Sequence, residues 1–248
     1  MSNANQFHLA SPARAQTRTF FAASLLSFAL LASCGGSSES ADAVDAQPGT
    51  QEVDLDRYFP IAVGASWSYE VSSGGTNGVK VQTVLALEDV GGAKTGTVAY
   101  KVQSTKPSGK ITVSWQQDTG TSLLRHREQT FASDQTQETE EAYTPAKLRL
   151  DEGAGNLTDG ATFQYTYEET VEDLTTNSST TISKTEVWTV EAVDVLVTVP
   201  AGAFACVQIR KFNAATGSDK RYWFAKGVGK IREESASQTE ELTTYYLP

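Results

Sequence analysis

The chain has 248 residues, 39% of them hydrophobic, with 30 Asp+Glu against 20 Lys+Arg and a net charge of −10. That length allows one large domain or two ordinary ones, and four Trp, nine Tyr and ten Phe argue against wholesale disorder. The acidity argues against a nucleic-acid partner, because duplex binding depends on cations that neutralise phosphates. Two Cys are too few for a Cys-rich zinc module or a disulfide scaffold.

At the N-terminus, Arg14 and Arg18 precede an uncharged run from Phe20 to Leu31, which ends in Ala32 and Ser33 directly before Cys34. A positive n-region, a short apolar h-region and a small-residue cleavage site describe an export signal. As a helix, residues 20–33 would span about 21 Å, short of the ~30 Å hydrocarbon core, so a permanent transmembrane helix is the weaker reading. Leu31-Ala32-Ser33-Cys34 resembles the lipobox of bacterial lipoproteins, in which an aliphatic and two small residues precede a Cys. The resemblance implies that residues 1–33 are the signal and that Cys34 is lipidated on sulfur and becomes the first residue. It also implies that the protein meets a membrane through that lipid. Small residues let a peptidase approach the backbone, and acyl chains contribute ~0.8 kcal/mol per buried methylene. The plainer reading is a secretory signal with a chance Cys.

Residues 34–51 are small, polar and acidic with no apolar period. Such a segment cannot bury enough surface to offset its ordering entropy, and it is expected to tether a folded domain to a bilayer. Gly35, rather than Asp, follows the Cys. By resemblance to the Gram-negative sorting rule, this implies the outer membrane rather than the inner. Removing residues 1–33, which hold two Arg and no acid, takes the net charge from −10 to −12. It also leaves His126 as the only histidine and Cys206 without a partner for a disulfide if Cys34 is acylated.

Residues 52–248 are expected to form one all-β domain. Thr and Val are abundant, and period-two alternation recurs at Trp67/Tyr69/Val71, Val98/Tyr100/Val102, Ile111/Val113/Trp115, Phe163/Tyr165/Tyr167 and Val193/Val195/Val197/Val199. Turn signals separate these runs, among them Gly74-Gly75, Pro107-Ser108-Gly109, Asp159-Gly160 and Pro200-Ala201-Gly202. The nearest approach to a helix, Glu52 to Phe59, would give one or two turns before Pro60. The acidic run Glu128 to Glu141, with Asp134, Glu138 and Glu140, looks like a solvated loop or an edge strand. The prediction is roughly ten antiparallel strands in a single curled sheet, half-barrel or barrel-like, with a sandwich as the alternative. Val195, Val197 and Val199 should share one buried face, in a strand paired with Phe204 to Ile209 through the Pro200 turn.

All four Trp fall inside predicted strands. Either they fill the core, or Trp67, Tyr69, Trp115, Trp188 and Trp223 line an apolar ligand cavity between the sheet walls. Two stretches carry a resemblance: Tyr58-Phe59-Pro60 with Gly64, Trp67 and Tyr69, and Val199-Pro200-Ala201-Gly202 with Phe204 and Cys206, followed by Gly227-Val228-Gly229. Together they look like a loose group of uncharacterised secreted bacterial β-proteins. That group is similar in turn to the LolA/LolB-type lipoprotein carriers, whose curled antiparallel half-barrel shields a lipid. The carriers lay helices over their sheet, and no helix of that kind is visible here.

Catalysis is not expected. A Ser-His-Asp or Cys-His arrangement needs a histidine base, and His126 sits among charges in Leu124-Arg125-His126-Arg127-Glu128. Single histidine content also excludes a multi-histidine metal site, and no nucleotide or metalloprotease motif appears, so no cofactor or metal is expected. Cys206 reads as a small buried hydrophobe. Two readings stay open: an envelope-anchored module that binds or carries an apolar ligand, and a structural lipoprotein that meets an envelope protein.

Overall fold

Twelve β-strands supply nearly all the regular structure in residues 53–248, which are the residues this computed structural model describes. The lipobox residues Leu31, Ala32, Ser33 and Cys34, with the signal and most of the tether, lie outside the described residues. In chain order the strands are β1 (Ser66–Ser73), β2 (Thr76–Asp89), β3 (Val98–Thr105), β4 (Ile111–Asp118), β5 (Ser122–Phe131) and β6 (Gln137–Asp151). They continue with β7 (Thr162–Asp173), β8 (Ser178–Val199), β9 (Gly202–Asn213), β10 (Ser218–Ala225), β11 (Gly229–Ser235) and β12 (Gln238–Tyr246). Each strand pairs antiparallel with the next, and β12 pairs back onto β1, so the sheet is a closed up-and-down barrel. Among the described residues the one helical element is a single 3₁₀ turn at Gly92–Lys94.

The all-β expectation stands, and its strand count is corrected. There are twelve strands rather than roughly ten, and of the expected half-barrel, barrel-like and sandwich forms the sheet takes the barrel, closing completely. The reason lies in strands with no apolar face to count. Glu128 to Glu141 is neither a loop nor an edge: it is the end of β5, a tight turn with Gln135 at φ 69°, and the start of β6. The expected helical turns before Pro60 are bends and turns.

Successive hairpins place their turns alternately at the two ends of the barrel. One end is sealed by the segment leading into β1. Phe59, Ile61 and Ala65 are buried there, and the Phe59 ring lies 6.0 Å from both Trp67 and Phe224. The Arg57 guanidinium bonds Asp118 and Glu152 at 3.0 Å each, and the Tyr58 amide donates to Glu152. Asp118 ends β4 and Glu152 directly follows β6, so the plug is tied to two separate hairpin ends. Gly227 donates its amide to Arg57 O, and at φ +69° with Leu55 O only 3.0 Å from an ideal Cβ it has no room for a side chain. The aromatic-Pro-Gly-Trp-Tyr and Gly-Val-Gly motifs are therefore two halves of one seal.

The closing hairpin matches its expected pairing, with Val197 opposite Phe204 and Val199 opposite Gly202. Val197 and Val199 are buried, Val195 is half-buried, and Leu196 and Thr198 face water. Val193 drops out of that face, because a bulge between Ala192 and Val195, with Asp194 at φ 54°, interrupts the alternation.

Candidate functional site

Along the inner wall, alternate side chains change character from the sealed end towards the other. On β8 the inward series runs Val190, Trp188, Glu186, Lys184; on β9 it runs Val207, Ile209, Lys211, Asn213; on β12 it runs Leu242, Glu240, Gln238. The barrel interior is thus an apolar core that gives way to a charged layer. Aromatic rings form the boundary. Lys230 Nζ stands 4.8 Å from the centre of the Tyr69 ring and Lys211 Nζ 5.2 Å from that of Trp188, as cation–π contacts.

Charges taken out of water need partners, and most here have them. Lys230 bonds Glu233 at 2.5 Å and Glu240 at 2.6 Å; Lys80 reaches Glu240 at 2.8 Å and Lys220 reaches Glu233 at 2.8 Å. Across the barrel, Lys184 and Lys147 share Glu169, while Lys211 and the Tyr167 hydroxyl meet on Glu186 Oε1 at 3.2 and 3.0 Å. Burial pushes the Glu233 and Glu240 carboxyls up, but the surrounding lysines, Lys230 with Lys80 and, at Glu233, Lys220, together outweigh it and hold both below the usual range. Neither is a general acid at neutral pH. Burial presses the Lys211 ammonium down to about 7 against the pull of Glu186, and burial with neighbouring Lys230 presses Lys80 down to about 8.

Those two lysines make stability depend on pH. Between their folded values and the ordinary 10.5, the unfolded chain keeps protons that the folded chain has lost, so their contribution rises with pH. Melts of the full chain should show that rise between about pH 7 and pH 10, with a shallower slope in Lys211→Gln whatever its absolute stability. Equal slopes would mean that Lys211 is not held in a poorly solvated site.

Above the charged layer the barrel opens in a cavity of about 540 Å³. Its rim is formed by the turns β1–β2 (Thr76, Asn77), β3–β4 (Lys106, Pro107, Ser108) and β11–β12 (Gln238 at its end). Its walls carry Lys80, Gln82, Thr112, Gln116, Arg125, Glu128, Arg149, Lys220, Tyr222, Lys230, Glu233 and Glu240. Strand β4 shows how a polar wall arises: Ile111, Val113 and Trp115 face outward, and Thr112, Ser114 and Gln116 face in, buried at 8%, 4% and 2% exposure. The apolar alternation of that strand marks the outside of the barrel.

None of the five side chains expected to line a cavity lines this one. Trp67 is in the apolar core and donates Nε1–H to Val228 O at 2.6 Å. Tyr69 and Trp188 form the floor beneath the cations. Trp115 lies on the outer wall in a separate cluster with Val90, Ala99 and Val113, covered by Arg127 at 4.8 Å. Trp223, opposite in phase to Tyr222, also faces outward, bonded to Gln208 Oε1 and covered by Arg232. Apart from Val71, in the Trp67/Tyr69/Val71 alternation, and Tyr222, the lining residues carried no apolar signal; their traces in the sequence were Lys and Glu alternating with Thr and Val, which also describes an exposed strand.

His126 stands outside the cavity, with Nε2 against Gln117 Oε1 at 2.9 Å, and burial holds its pKa below the usual value. Burial pushes the Cys206 thiol up to about 11, so it stays protonated beside Phe204 O. On β7 and β8 the outer wall carries Thr166–Thr185 and Thr170–Thr181 hydroxyl pairs at 2.9 Å, with Glu168 between them and Glu172 beyond, both exposed. That stretch of the outer wall is polar.

No family model and no curated protein matches the chain. Among solved structures, an exported-protein candidate with a YmcC-like fold from Bacteroides fragilis is similar at a TM-score of 0.45 and 12% identity, over 76% of this chain and 98% of that one. The hypothetical lipoprotein YmcC from Escherichia coli is similar at 0.38 and 10%, over 76% and 89%. A lipoprotein candidate from Parabacteroides distasonis is similar at 0.36 and 11%, over 76% and 98%.

Proposed function

We propose that the protein is a lipid-anchored, non-catalytic binding protein of the bacterial cell envelope, with the open mouth of the barrel as its ligand site. The observation that carries the binding part is the 540 Å³ cavity, a size that suits a small ligand, into which buried polar groups converge. Anchoring rests on Leu31-Ala32-Ser33-Cys34, and Gly35 after the Cys favours the outer membrane. The non-catalytic reading is supported by carboxylates held ionised in lysine pairs, a protonated Cys206 and a histidine outside the cavity. An apolar ligand fits poorly, because the apolar half of the interior is filled by side chains and the empty half is charged.

Metabolic labelling with a fatty-acid analogue should tag the wild type and leave Cys34→Ala unlabelled; equal labelling of both would remove the anchor. Mass spectrometry of small molecules that co-purify with the full chain tests the binding part separately. A second reading, an envelope protein that meets another protein through its outer wall, is favoured by Val79, Val81 and Leu85 on β2, all exposed. Val81→Asp would abolish cross-linking to such a partner and leave co-purifying small molecules unchanged.

A further inference from the structure

The cavity is lined by six cationic side chains, Lys80, Lys106, Arg125, Arg149, Lys220 and Lys230, against three acidic ones, Glu128, Glu233 and Glu240, in a chain whose net charge is −10. The surplus is local. Glu128 is engaged by Arg125 at 2.5 Å, and Glu233 and Glu240 are shared among three lysines. Arg149, half-buried, and Lys106, exposed at the rim, have no carboxylate partner among the described residues. Arg149 lines the cavity together with Tyr222, and its charge also acts on Tyr69 and Tyr167.

A second observation is independent of the charge count. Of the buried side-chain polar atoms without a hydrogen-bond partner among the described residues, three belong to cavity-lining residues: Arg125 Nε, Arg149 Nε and Gln116 Oε1. Gln116 is 2% exposed, and its amide nitrogen is used on Ser114 Oγ at 2.9 Å. A buried donor or acceptor without a partner costs about 1–3 kcal/mol, and native proteins keep few of them. The residues that carry these atoms, two arginines and one glutamine, line the same cavity. Guanidinium suits carboxylate and phosphate oxygens in particular, through its planar fork of donors. With a surplus of positive charge and walls of protein, the mouth also concentrates ions of the opposite sign.

From this geometry we infer that the barrel mouth binds a compact polyanion bearing carboxylate or phosphate groups, with Arg149 and Arg125 holding the anion in the cavity and Lys106 guiding it at the rim. The inference rests on the binding reading above and names the ligand class. A neutral small molecule recovered with the protein would keep that reading and discard this one.

The test is calorimetric titration of the full chain in dodecyl maltoside at low salt. Its probes are citrate, glucose 6-phosphate, glucose and, as the headgroup arm, dihexanoyl phosphatidic acid. Citrate or glucose 6-phosphate should bind at least tenfold more tightly than glucose, and raised salt should weaken the anions only. Arg149→Gln should lower anion affinity at least tenfold and Lys106→Gln a few-fold, while Arg149→Lys, which keeps the charge, falls between. If dihexanoyl phosphatidic acid binds more tightly than glucose 6-phosphate, the anion is a lipid headgroup; if not, it is a free small molecule. Should Arg149→Gln fail to fold, Lys106→Gln at the exposed rim and Arg149→Lys carry the comparison. Anions binding no better than glucose would overturn the inference, as would Arg149 and Lys106 variants that bind like the wild type.

Discussion

Lys230→Met should cost about 3–5 kcal/mol, the usual penalty for leaving buried charge without its partner. Lys230 is 7% exposed, and its ammonium joins Glu233 at 2.5 Å to Glu240 at 2.6 Å. Without it, two poorly solvated carboxylates face each other with only Lys80 and Lys220 at their outer sides. The change should appear as a lower denaturant midpoint followed by circular dichroism. Combining it with Glu240→Gln should recover part of the loss, a coupling that a double-mutant cycle reads directly. Acid should reveal the same pair. Carboxyls held below their usual range contribute stability that is full above about pH 4.5 and is lost as pH falls through their folded values. In Lys230→Met that acid-sensitive component should shrink. A cost under about 1 kcal/mol would mean that water reaches the network freely.

Trp67→Ala should be as damaging for a different reason. The indole is 2% exposed, touches Phe59 in the seal, and donates to Val228 O at 2.6 Å across the β10–β11 turn. Gly229 at φ +107° comes so close that an ideal Cβ there would lie 3.2 Å from the indole nitrogen. Truncation opens a large cavity in a site pinned on several sides, at about 3–5 kcal/mol against a total of about 5–15 kcal/mol. Trp67→Phe separates packing from hydrogen bonding: it keeps most of the ring and orphans the Val228 carbonyl, for about 1–3 kcal/mol. Equal losses in both variants would assign the whole effect to the hydrogen bond.

How much of this was legible in the sequence depends on which face of each strand was apolar. Trp67/Tyr69/Val71 and Val197/Val199 announced an inward face and were read correctly. Ile111/Val113/Trp115 announced a face too, but an outward one, because period two says which residues share a side and not which side is inside. Arg125, Glu128 and Glu141 had no period to read. Buried ion pairs and solvated strands have the same composition, and only the closed sheet distinguishes them. The cavity was hidden for the same reason: Arg149 lies between Leu148 and Leu150, and nothing in that triplet indicates that the guanidinium, rather than the leucines, reaches the empty space. The seal was half visible. Its aromatic and glycine motifs stood out, while their meeting across some 160 residues did not.

Every strand but one finds its partner in the next hairpin; the exception is the seam between the first strand and the last. Eleven of the twelve pairings can therefore zip up locally, at little loop-closure cost. The twelfth must wait for the final residues of the chain. Until then Ser66–Ser73 offers an unpaired edge, and the growing sheet offers another at its advancing end, each open to a neighbouring molecule. A chain that lost its last ten residues would keep most of its strand pairs and all of the plug, yet hold both edges open for good. Aggregation during synthesis, rather than unfolding of the finished barrel, would then be the main hazard this architecture faces.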